Sequence, residues 1–242
     1  MVMEWTITNF LFANTVLIIS SILQRVTGIS VGMIIVPFLA LISYTLIPVP
    51  IVLASLTLTI MMTLQGKEYI DFKGSIKIFI GMLIGILTSI FIISTIKFEH
   101  LGAIFGLFIL TSVLISLKVK SFKLKSSAIY FGGFLAGIMG TMAAVGGQIL
   151  ALIYQNHPLP VIKATLAFLY TLFSVSMLTI FYFYNHFNYS QFISGLFLMP
   201  GFIIGFLISP IFTKHFNPKY SKTIVLISAT SGALVLIYQS LF

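Results

Sequence analysis

Ten apolar runs separated by short polar breaks fill this chain, at 7–27, 30–46, 50–66, 75–95, 100–117, 127–144, 146–156, 161–184, 190–213 and 221–241. Most approach the roughly 20 residues that a helix needs to cross the hydrocarbon core of a bilayer. With 59% hydrophobic and 7% charged residues and a mean hydropathy of +1.16, no water-soluble domain of 242 residues could cover so much apolar surface. The expected fold is an all-α polytopic membrane protein of about 8–10 membrane segments. The N-terminus, MVMEWTITNF, has an acidic residue and no basic one before the first run. It lacks the positive region of a cleavable signal peptide, so the first helix is expected to remain.

The net charge of +9 is read through its placement. Lys67, Lys73 and Lys77, then the four lysines of SLKVKSFKLKSS (116–127), then Lys214, Lys219 and Lys222 all fall between apolar runs or at their ends, where a cytoplasmic bias of basic residues is the ordinary cause. The intervening loops IKFEHLG (96–102) and NHFNYS (185–190) carry one lysine between them. This predicts a multi-pass protein of the cell membrane with both termini outside and the lysine-rich stretch inside. Nucleic acid is not an expected partner. With no cysteine, neither disulfides nor thiolate metal sites are available, and no metal or cofactor is expected.

The lysine-rich stretch divides the runs five and five: a first transmembrane repeat at 1–117, a basic linker at 118–126 and a second repeat at 127–242. An odd number of segments per half turns the second half upside down, the geometry of inverted-topology repeats with broken or re-entrant helices. The halves show weak self-similarity. YTLIPVPIVLASL (44–56) lies over YQNHPLPVIKATL (154–166) at a constant offset, matching Tyr44 with Tyr154, Pro48-x-Pro50 with Pro158-x-Pro160, and Ala54-Ser55-Leu56 with Ala164-Thr165-Leu166. Upstream, the glycines of TGISVGMIIVP (27–37) fall near those of GTMAAVGGQIL (140–150).

In lipid an unpaired backbone group costs several kcal/mol, so a broken helix implies a protein-lined cavity. Gly28 and Gly32 in the first half, and Gly140, Gly146 and Gly147 in the second, are candidate breaks; a helix restarting after them would aim free N–H groups at the gap and attract an anion. Close helix packing is the competing reading of any one glycine.

The only acidic residues are Glu4, Glu68, Asp71 and Glu99, none within an apolar run, which argues against cation coupling through a buried carboxylate. Arg25, after Gln24 and three residues before Gly28, and Lys163, after the second Pro-x-Pro pair, place one cation near each break. Two readings stand for them: anion ligands, or cations snorkelling to the interface at helix ends. Gln148, Thr141, Tyr154 and Gln155 could add hydrogen bonds, and Asn14 either lines the cavity or packs. His100, His157, His186 and His215 sit at segment ends. No HExxH, carboxylate pair or mid-segment histidine supports an enzyme, and no catalytic residue is expected.

LQRVTGISVGMIIVPFLAL with its downstream PVPIVLASL, and GFLAGIMGTMAAVGGQILALIYQ followed by LPVIKATLAF, resemble the two signature regions of the sulfite exporter TauE/SafE family. The resemblance spans both halves. It implies a secondary transporter of small anions, often sulfur oxyanions such as sulfite or sulfonates. The family's glycine run is reduced here to Gly28 and Gly32, and Gln148 stands where a proline or further glycine is common. The expected substrate site is Gln24, Arg25, Gly28, Gly32, Gly140, Thr141, Gly146, Gly147, Gln148 and Lys163, between the halves. Its expected partners are a small anionic substrate and the lipid bilayer; oligomeric state is open, a homodimer included. A passive channel and a non-transporting membrane subunit are the alternatives.

Overall fold

The computed structural model describes residues 5–29, 32–93, 95, 101–118, 126–213 and 218–241. Ten α-helices occupy them: α1 Ile7–Thr27, α2 Gly32–Ala40, α3 Val49–Gly66, α4 Phe72–Ile93, α5 Leu101–Lys118, α6 Ser126–Ala143, α7 Gly147–Tyr154, α8 Leu159–Phe183, α9 Tyr189–Thr213 and α10 Pro218–Leu241. Each apolar run becomes one helix, and no strand occurs among the described residues. Most of the proposed linker (119–125), the stretch 96–100 and Lys214 lie outside the described residues.

The chain is a polytopic membrane protein. Among the described residues, six stretches are long and apolar enough to cross a bilayer: α1, α3 with the turn after it, α4, α6, α8 and α9. Large apolar side chains such as Ile7, Leu64, Phe91 and Ile211 project from the outside of the bundle, where hydrocarbon rather than water accounts for them. The helices α2 and α7 have 9 and 8 residues, or about 12–14 Å at about 1.5 Å per residue. Neither can cross a core of about 30 Å.

Helix α1 packs on α9 while α6 packs on α4; α3 packs on α9 while α8 packs on α4; α2 packs on α10 while α7 packs on α5. Helix α3 meets α8, and α5 meets α10. Exchanging the two sets of five helices turns each of these contacts into its counterpart. One end of the bundle gathers Lys77, Ser126, Asp71, Tyr154 and Thr165, through the contacts Lys77 Nζ to Ser126 Oγ (3.3 Å), Tyr154 to Asp71 and Asp71 to Thr165. The opposite end gathers Trp5, Tyr44, His186 and Tyr189 around one cavity.

Small residues make the two largest cross-half seams. On α4, GMLIG (81–85) faces α6, and a Cβ on Gly81 or Gly85 would run into the carbonyls of Tyr130 and Phe134. On α9, GFIIG (201–205) faces α1, and a Cβ on Gly201 or Gly205 would come within 2.9 Å of the Asn14 carbonyl and 2.6 Å of the Ile18 carbonyl. Backbones approach this closely only where no side chain intervenes, the usual basis of helix association in lipid. Asn14 resolves as a packing residue: its Nδ2 donates to the carbonyls of Phe10 and Phe197 (both 3.0 Å), and its Oδ1 accepts from Gly201 N–H at 2.6 Å.

Placing a methyl into the seam by Gly85→Ala is expected to lower stability by roughly 1–3 kcal/mol, the usual range for overpacking. The check is thermal unfolding of the detergent-purified protein. An unchanged melting temperature would mean that α4 and α6 do not meet at this glycine.

Candidate functional site

Both halves interrupt a long helix with a residue in the left-handed region. Helix α1 stops at Gly28 (φ +76°), whose N–H bonds to the Gln24 carbonyl, while Thr27 Oγ1 donates to Leu23 O (2.8 Å) and accepts from Ile29 N–H (3.2 Å). Helix α6 stops at Ala144 (φ +54°), with Ala144 N–H on Gly140 O (2.9 Å) and Val145 N–H on Met139 O (3.3 Å). The 5→1 bond from a left-handed residue, Ala144 N–H to Gly140 O, is the αL helix ending, at a position where glycine is the usual occupant. A short helix restarts after each stop, α2 at Gly32 and α7 at Gly147, the latter with no side-chain cap on its first turn. The two reversals touch where a Cβ on Gly32 would overlap the Ala144 carbonyl; within the second reversal, one on Gly146 would overlap the Ala136 carbonyl of α6.

Between them lies a cavity of about 60 Å³. One water needs about 10–15 Å³ on this scale, so the space suits an anion of a few heavy atoms. Gln24 and Gly32 line it from the first hairpin, and Gly140, Ala144, Gly146 and Gly147 from the second. Ser55 and Thr59 on α3, with Tyr170 and Ser174 on α8, add hydroxyls; Met82, Phe173 and Phe202 are among the apolar walls. No charged side chain is among the lining residues. Gln24 is 4% exposed and Ser174 3% exposed, and neither shows a hydrogen-bond partner for its side chain among the described residues. Ser55 and Thr59 donate to the carbonyls of Val52 (3.0 Å) and Leu56 (3.2 Å). The cavity therefore offers neutral N–H and O–H donors, in an apolar shell, at the positive end of two short helices.

The other expected site residues lie elsewhere. Thr141 is buried with no partner for its hydroxyl among the described residues, and Gln148 is buried in the first turn of α7; neither lines the cavity. Arg25 and Lys163 line a second cavity, with Gln65, Gly66, Tyr69 and Pro160, at the lysine-bearing end. There Arg25 Nη1 donates to Phe206 O (2.7 Å) and Ser209 Oγ (2.6 Å), Nη2 donates to Gln65 Oε1 (2.9 Å), and the guanidinium lies 4.2 Å from the centre of the Phe206 ring. Gly28 belongs to this second cluster, since a Cβ on it would come within 2.9 Å of the Cα and Cγ of Lys163. What the sequence suggests as one site is two places in the structure, because Arg25 points along α1 towards α3 and α9 while Gln24, one residue earlier, turns inward.

Sequence reading did not single out Ser55, Thr59, Tyr170 or Ser174. They sit in uninterrupted helices, where a hydroxyl ordinarily bonds its own backbone, and only the crossing of α3 with α8 turns them inward. It also missed a cross-half link. Asp71 Oδ2 accepts from the buried Tyr154 hydroxyl (3.0 Å), Asp71 N–H donates to Thr165 Oγ1 (3.0 Å), and Asp71 Oδ1 accepts from Gly74 N–H (3.0 Å). The available signal was the Asp at the start of a helix, three residues before Gly74.

A family model described as "Sulfite exporter TauE/SafE" matches residues 13–236, a span that takes in both hairpins. No curated protein and no solved structure matches the chain.

Two substitutions test the geometry in thermal unfolding experiments. Ala144→Gly relieves a left-handed alanine and is expected to raise stability by about 1 kcal/mol; a loss would contradict the left-handed ending. Tyr154→Phe leaves the Asp71 carboxylate one donor short and is expected to lower stability by about 1–3 kcal/mol.

Proposed function

The chain belongs to the sulfite exporter TauE/SafE family of membrane transporters, and from that premise we propose that it carries a small oxyanion such as sulfite through the central cavity. The observation that carries this reading is the pairing of two broken helices around an uncharged, largely apolar space into which a few neutral donors project. An anion there loses water and gains the Gln24 amide, the Ser174 hydroxyl and the amide ends of α2 and α7. Neutral donors hold an anion without trapping it, which a carrier requires, since bound substrate must also leave. The volume favours an inorganic sulfur oxyanion over a long-chain sulfonate.

The reciprocal pairing of helices supports reading 1–117 and 127–242 as inverted repeats joined by the basic linker. Alternating access then consists of one half rocking against the other around the central cavity. The central cavity, the one at the lysine-bearing end and one of about 760 Å³ at the opposite end lie along the bundle, and no residue lines two of these. That separation favours a carrier over a passive channel. By the excess of lysine at one end, that end faces the cytoplasm of a cell membrane and both termini face outward.

The test is counterflow of labelled sulfite in proteoliposomes. Trans-stimulated uptake is expected for the wild type. Replacing the amide by Gln24→Leu is expected to lower the rate by about 10–150-fold, the equivalent of a hydrogen bond to a charged group at about 1.5–3 kcal/mol. Absence of counterflow with sulfite, sulfate and sulfonates alike would overturn the proposal.

A further inference from the structure

We infer that the cavity at the lysine-bearing end is a second oxyanion site, with Lys163 supplying the charge and Arg25 a fixed set of donors. This cavity measures about 330 Å³ and is lined by both cations and by no carboxylate. Neither cation has an ion pair among the described residues, and both are half-buried. Two like charges drawn partly out of water into one space repel each other, and nothing in the lining offsets that repulsion. An oxyanion would.

The place of Lys163 in its helix strengthens the point. It is the fifth residue of α8 (Leu159–Phe183), and a helical side chain leans back towards the N-terminus, so its stem lies over the first turn. Cations are favoured at helix C-termini and disfavoured at N-termini. Neither the helix dipole nor an acidic partner explains a lysine there. The first turn of α8 has no side-chain cap, and it adds its own positive end to the same region.

Arg25 contributes geometry more than freedom. A guanidinium has five N–H groups, of which three are engaged by Phe206, Ser209 and Gln65. Two remain, held in a fixed plane by those bonds and by the Phe206 ring. Gln65 accepts from Arg25 through Oε1, which leaves its NH₂ as a donor, and the Tyr69 hydroxyl lines the same space. The cavity at the opposite end has no lysine or arginine in its lining. Cationic capture is thus confined to one face of the bundle.

Gly28 joins the two sites physically. Its contact with Lys163 sets the cation against the reversal that follows Gln24, the residue that lines the central cavity. In the transport reading this cavity is the waiting position on the cytoplasmic side; that role rests on the reading above, whereas binding itself does not. Two sources of the same chemistry can fill it, a free oxyanion or the phosphate of a lipid headgroup.

Inorganic sulfate is the probe, titrated against the purified protein in neutral detergent at constant ionic strength, in the Gln24→Leu background so that the central cavity contributes least. Sulfate is expected to raise the melting temperature in a saturable way. Lys163→Gln is expected to weaken the apparent affinity at least tenfold, and Lys163→Arg to retain it. Gln65→Glu, which places a carboxylate beside Arg25, is expected to abolish the sulfate response while the protein stays folded, and it serves as the second test should Lys163→Gln fail to fold. If sulfate has no effect but phosphatidylglycerol binds in native mass spectrometry and is lost on Gln65→Glu, the source is the headgroup and the site stands. A sulfate or lipid response that survives both substitutions, or no response to either probe, overturns it. Loss of flux with sulfate binding intact would instead count against the transport reading alone.

Discussion

Two stretches of this chain leave the helix and free backbone groups that lipid cannot pair, after Gly28 and after Ala144. Each unpaired group there would cost several kcal/mol, so the reversals can exist only where protein covers them. They cover each other. The Ala144 carbonyl of the second reversal sits against Gly32 of the first, at a distance that excludes any side chain on that glycine, while within the second reversal the Ala136 carbonyl sits as closely against Gly146. The central cavity is what remains between two turns that cannot close completely, and its polar character comes from the Gln24 amide, the hydroxyls of α3 and α8 and the glycine backbone that line it.

That mutual cover demands a scaffold that brings opposite halves together, and the glycine seams supply it. GMLIG on α4 lets α6 approach, and GFIIG on α9 lets α1 approach, so each broken helix is held by a long unbroken helix of the other half. Apolar burial cannot drive this association in lipid, where tails are as apolar as leucine; close packing and a few hydrogen bonds must. Asn14 between α1 and α9, and Asp71 with Tyr154 and Thr165 between the halves at the lysine-bearing end, are those bonds.

Charge is sorted along the bundle in a way that suits the anion path proposed above. The central cavity is neutral, the lysine-bearing end holds Arg25 and Lys163, and the opposite end is lined by aromatic, aliphatic and neutral polar residues with one histidine. A full cation in the central cavity would bind an oxyanion too firmly to release it and would itself be costly to bury. Near an aqueous end the same cation is partly hydrated, and its attraction is moderated.

Much of this was legible in the sequence because a bilayer restricts the choices so severely. Hydropathy alone marks ten runs and the sequence places them near the ten helices found, and glycine clusters flanked by Pro-x-Pro pairs mark the halves' two interruptions. Gln24, Gly32, Gly140, Gly146 and Gly147 could be named as cavity candidates because glycine and a lone amide in apolar surroundings are locally conspicuous. Tertiary structure alone decided the rest. Adjacent residues on a helix point about 100° apart, so nothing local separates Gln24, which faces the centre, from Arg25, which reaches towards Gln65, Phe206 and Ser209 some 40 to 180 residues away. Likewise Ser55, Thr59, Tyr170 and Ser174 gain their position only from the crossing of α3 and α8, a contact between halves that a helix-by-helix pattern does not encode.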